Sequence, residues 1–83
     1  MKTLTQYGLM AEKHWRLFLP RLTAYLEATG KLETLLLEAE ERTVAEMDEL
    51  RRHFLQQGLT AEQAQHRAWE LVLERYIFLP PEP

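Results

Sequence analysis

The side chains of this 83-residue chain that could do chemistry are three histidines and thirteen acids, because serine and cysteine, the commonest nucleophiles, are both absent. No two of His14, His53 and His66 have the spacing of a HxxxH metal pair, and no Glu-x-x-His of the di-iron bundle type occurs. Glu62, His66 and Glu70 follow at four-residue intervals and would line three ligands along one helix face. A solvated ladder of charges is the simpler reading, and no metal is expected. The acidic run Glu38, Glu40, Glu41, Glu46, Asp48 and Glu49 offers paired carboxylates. General acid–base work needs a desolvated carboxyl with a shifted pKa held against a partner. These positions lie mostly off the apolar stripe, beside arginines or other acids, and read as a solvated helix face. There is no phosphate-cradling GxxxxGK[ST] or GxGxxG loop. The spaced Arg, Lys and Gln constellation of small helical mutases is missing too. No catalytic residue, no cofactor and no enzyme activity is therefore expected.

The elements that carry these residues are helical. The composition is 46% apolar and 28% charged, with three glycines and four prolines. That is too apolar for disorder and too poor in turn residues for a barrel or sandwich. No apolar run approaches the ~18–20 residues of a membrane span. No signal peptide is visible, and without cysteine there is neither a disulfide framework nor a thiolate metal site. A small cytoplasmic protein with no membrane partner is the expectation.

Apolar residues recur at Leu4, Tyr7, Ala11, Trp15, Phe18, Leu22 and Leu26, one face of a helix that keeps its phase across Pro20. Proline there removes a backbone bond and clashes with the Arg16 carbonyl, so two pieces in rough alignment, about 4–18 and 20–29, are predicted. Gly30 fits the left-handed stop. From Lys31 to Gln57 there is neither Gly nor Pro, and Leu32, Leu36, Ala39, Thr43, Met47, Leu50 and Phe54 share a face. Their eleven-residue repeats suit one straight helix of ~27 residues. Gly58 ends it. Thr60 and Gln63 form a capping-box signature for a last helix whose face is Ala61, Ala64, Ala68, Trp69, Val72, Tyr76 and Leu79. The expected fold is all-α, a three-helix antiparallel bundle or hairpin with a Pro-kinked first helix, a long middle helix and a third. Residues 1–79 make one domain, and 80–83 a proline-rich extended tail.

Charge is divided unevenly. Residues 1–31 hold five basic side chains (Lys2, Lys13, Arg16, Arg21, Lys31) against Glu12 and Glu27, a balance of +3, whereas 32–83 hold five basic and eleven acidic ones, a balance of −6. The first helix could lie against the acidic helices, within a subunit or across a dimer. Alternatively Lys13, Arg16 and Arg21 bind nucleic acid, the weaker reading because so few cations cluster and the remaining surface repels phosphate. Arg51-Arg52-His53 reads as the usual positive end of a helix. Core packing is the default for Tyr7, Trp15, Trp69 and Tyr76. Wherever they emerge, Trp15, Phe18, Trp69 and Tyr76 are the interface candidates, since aromatics dominate binding hot spots. A chain this short gains little net stability from its own core, and an elongated one gains less, so a second copy or another protein is the expected partner.

The landmarks also follow a familiar order. Tyr7-Gly8 opens the first helix, Pro20 interrupts it, Gly30-Lys31-Leu32 starts the long helix, and Gly58-Leu59-Thr60 leads into the last, which carries Trp69. Over about sixty to seventy of the 83 residues this resembles the small transposon-encoded proteins called TnpV. The resemblance implies a mobile-element accessory protein of undetermined biochemistry, and it carries over no functional residue.

Overall fold

The computed structural model describes residues 4–83, so Lys2, counted in the basic N-terminal balance, lies outside the described residues. Those residues form four helices, α1 (Gln6–Phe18), α2 (Pro20–Ala28), α3 (Leu32–Gln56) and α4 (Ala61–Tyr76). The all-α expectation holds, but the count of three does not. Proline does not merely kink the first helix: Leu19 leaves helical geometry at φ −129° and ψ 55°, and Pro20 becomes the first residue of a new helix, where its missing N–H costs nothing. Gly30 and Gly58 adopt φ of 71° and 96°, the left-handed conformation that favours glycine at a helix stop.

The break also changes which residues face inward. The core row runs Ala11–Trp15–Leu19–Thr23 at a constant four-residue step, while Phe18 and Leu22, expected on the buried stripe, are exposed. The ladder explains the shift. The Leu19 amide still donates to the Trp15 carbonyl (2.7 Å) and Thr23 to Leu19 (2.9 Å), so each buried side chain sits one turn above the last. Leu26, Leu32, Leu36, Ala39, Leu73 and Ile77 complete the cluster.

On α3 the buried face is Leu32, Leu36, Ala39, Glu40, Thr43 and Met47. The predicted stripe is recovered as far as Met47, with Leu50 and Phe54 only half-buried. Glu40 departs from its expected place on a solvated face, being 6% exposed. Its carboxylate accepts the Thr5 amide at 2.6 Å and so lies at the N-terminus of α1, where the helix dipole favours an anion. The α4 capping box is formed in both directions, Gln63 amide to Thr60 hydroxyl at 3.2 Å and Thr60 amide to Gln63 carbonyl at 3.1 Å. Ala64, Ala68 and Val72 are fully buried on α4, the small side chains letting it lie close against its neighbour. The molecule measures 46 × 33 × 14 Å; the short axis matches two helices stacked at ~8–10 Å spacing.

Ala68→Glu places a carboxylate where there is neither water nor room. It is expected to cost about 3 kcal/mol or more and to lower Tm by roughly 12 °C or more. An unchanged melting curve by circular dichroism would show that Ala68 is not at a helix contact.

Candidate interaction surface

Tail residues 80–83, expected as an extended tail, continue a strap that binds the α1–α2 break. Trp15, 5% exposed, donates its indole N–H to the Ile77 carbonyl (3.1 Å). His14 Nε2 lies 2.8 Å from the Leu79 carbonyl, which fixes that nitrogen as the proton carrier, because a carbonyl can only accept. At the break itself, the Glu82 amide donates to the Phe18 carbonyl (2.9 Å). The Glu82 carboxylate accepts the amides of Leu22 (2.9 Å) and Arg21 (3.3 Å). These are N–H groups that the start of a helix leaves without intrahelical partners, and Leu19 supplies no side-chain cap of its own. A residue from the far end of the chain therefore performs the capping.

The three cations proposed for nucleic acid have different fates. Arg16 bridges Glu12 (3.0 Å) and Glu27, and its hydrogen bonds to Glu12 and then Glu27 raise its pKa further above the ordinary range. Lys13 and Arg21 are exposed, and neither side chain forms an ion pair with another described residue. The four aromatics separate as well. Trp15 is committed to the core and the strap. Trp69 is half-buried at the edge of the core. Phe18 is 46% exposed and lies against His14, centroids 4.6 Å apart, with Phe78 on the ring from another side at 5.3 Å. Tyr76, half-buried, donates its hydroxyl to Glu46 at 2.7 Å, and Arg75 reaches the same carboxylate at 3.3 Å. The Glu46 bond first, and then burial, raises the Tyr76 pKa above the ordinary phenol value.

Other pairs are local: Glu38 with Arg42, Asp48 with both Arg51 and Arg52, and His66 with Glu70 at 2.9 Å. Among the described residues no three histidine or acidic side chains come together as a metal-binding group. What the surface does offer is apolar. A groove of ≈ 290 Å³ is lined by Trp15, Leu22, Leu26, Leu35, Tyr76 and Leu79, with Arg42 and Arg75 at its rim. A second open groove, ≈ 590 Å³, runs beside His14, Leu71, Glu74, Phe78 and the strap prolines. Leu9, Leu17 and Tyr25 are 55%, 65% and 60% exposed. Large apolar side chains left exposed together mark interaction surfaces.

The strap was invisible to periodicity, since its contacts join residues more than sixty positions apart. The nearest signal was the constant step of four through Ala11, Trp15, Leu19 and Thr23.

Glu82→Ala is expected to cost about 1 kcal/mol as a lost cap and to speed amide exchange at Arg21 and Leu22 while α4 stays protected. Equal exchange in both proteins would refute the cap. The raised Tyr76 pKa gives a second test. A group that holds its proton more tightly when folded contributes its stability in full below the unfolded phenol value, near pH ~10, and loses it as pH rises through the folded value. Above that pH the wild type should lose Tm faster than Tyr76→Phe, and parallel losses would show the Glu46 bond to be absent. No protein-family model, curated protein or solved structure matches the chain, so these roles follow from the contacts themselves.

Proposed function

We propose that this chain is a non-enzymatic helical interaction module that works as a homo-oligomer, a dimer first of all. The observation that carries the reading is the set of large apolar side chains left in water: Leu17, Phe18, Leu22, Tyr25, Leu71 and Phe78. The accessible area of 5880 Å² supports it, since a compact chain of this mass exposes only ~5,200 Å². Several of the side chains that could react are engaged elsewhere. Glu40 and Glu82 cap helices, Glu46 holds Tyr76 and Arg75, and His14 serves the strap. The TnpV resemblance suggests the setting, an accessory protein of a mobile element in the cytoplasm. Among the described residues no helix is long and apolar enough to cross a membrane. The competing role, nucleic acid held by Lys13, Arg16 and Arg21, has less in its favour. With Arg16 neutralised by two glutamates, two cations remain, too few for more than about two phosphate contacts.

Sedimentation velocity from micromolar to tens of micromolar protein is expected to show reversible dimerisation, and a monomer throughout would overturn the reading. A mobility-shift assay at low salt is expected to show no shift. Binding that weakens steeply with salt, and is lost in Lys13→Glu with Arg21→Glu, would put the nucleic-acid role in its place.

A further inference from the structure

Two exposed rows of side chains take little part in the chain's own packing. Along α1 and α2, Leu9, Lys13, Leu17, Arg21 and Tyr25 follow one another at four-residue intervals, and all five are exposed. They point away from the Ala11–Trp15–Leu19–Thr23 row that forms the core. Along α4 the same interval gives Glu62, His66, Glu70 and Glu74, and Phe78 follows four residues later, past the helix end, again all exposed. Within this row only the His66–Glu70 pair is closed. Lys13, Arg21, Glu62 and Glu74 form no ion pair with another described residue.

The rows complement each other in charge and length. One alternates apolar groups with cations, and the other is acidic with an aromatic end. Each spans about 24 Å at ~1.5 Å per residue. Phe78, at the end of the second row, lies against His14 of α1. We infer that the α1–α2 row of one copy lies along the α4 row of a second copy, and the reverse, about a two-fold axis. The inference rests on the self-association proposed above and names its surface. A two-fold axis makes every contact twice, so Lys13 of each copy meets Glu74 of the other. Two strips of ~24 Å by ~10 Å per copy bury roughly 1,000 Å² in all, the lower bound for a specific interface and a size suited to weak, reversible pairing. Arg75 also borders this surface but is held by Glu46.

Complementary charge reversal tests the arrangement, read by sedimentation velocity with circular dichroism as the control for folding. Lys13→Glu alone and Glu74→Lys alone each set like charges against each other at both halves of the interface. Each is expected to raise the dimer dissociation constant about tenfold or more. Mixed in equal amounts, the two variants can form a heterodimer in which both substitutions meet at one half of the interface and native Lys13 and Glu74 meet at the other. Opposite charges then face each other at both halves, and the mixture should regain wild-type affinity. If the wild type dimerises and the variants do so equally well, or the mixture regains nothing, this surface is wrong while self-association stands. A wild type that stays monomeric removes both.

Discussion

Neither α1 nor α2 has a side-chain cap of its own, and each takes a glutamate from a distant part of the chain instead. Glu40, from the middle of α3, meets the N-terminus of α1, and Glu82, from the end of the strap, meets that of α2. The second arrangement follows from Pro20. Without an amide hydrogen this residue cannot continue the ladder of α1, and restarting the helix there leaves new amides to satisfy. Glu82 does so from one side while its own amide closes the Phe18 carbonyl from the other. Each such bond is worth roughly 0.5–1.5 kcal/mol, so the strap supplies a sizeable part of the ~5–15 kcal/mol that holds a small domain together.

With α2 fixed in this way, the remaining geometry follows. Trp15 can turn its indole N–H toward Ile77 only while the chain beyond α4 doubles back over α1. That same return brings Phe78 to His14 and leaves Leu79 bordering both apolar grooves. The strap thus closes the core and shapes the surface. Electrostatics contribute little to this. The charge asymmetry between the N-terminal third and the remainder suggested cations of the first helix docking on acids of the later ones. Arg16 is instead satisfied by Glu12 and Glu27 within that same third, and Arg75 with Glu46 is an ion pair between α4 and α3. Exposed pairs of this kind are worth ~1 kcal/mol or less; apolar contact and close-packed alanines hold the helices together.

Features set by local chemistry were legible in the sequence: the glycine stops, the Thr60–Gln63 box, the long α3 face and the interruption at Pro20. Features set by distant partners were not. Phe18 and Leu19 are adjacent and similarly apolar, and periodicity alone favoured the wrong one, because a 3–4 spacing fits Phe18 as well as a steady step of four fits Leu19. Only the ladder across the proline decides between them. Glu40 looked like one acid among many; its partner, Thr5, is 35 residues away. Ile77 is fully buried yet falls just past the last helical turn, where helical periodicity no longer applies. On the surface, the separate cations and aromatics were readable, but the fate of each depended on contacts no spacing reveals: Arg16 was neutralised, Trp15 buried, Phe18 exposed.

The α4 row proposed for pairing ends on Phe78, which also belongs to the strap, so pairing of that kind would couple association to folding. Phe78 lies within the strap segment and against His14, whose own bond to Leu79 helps hold that segment down. A second copy resting on Phe78 would bury it and restrict the strap's release from the break. Anything that binds the closed state alone raises its stability by mass action. The coupling acts in both directions, because linkage between two equilibria is reciprocal: loosening Glu82 would free Phe78 and blur the surface offered to a partner. A chain with so small a core can therefore afford an unusual helix break, since the strap that repairs the break also presents the surface through which a second copy would reinforce it.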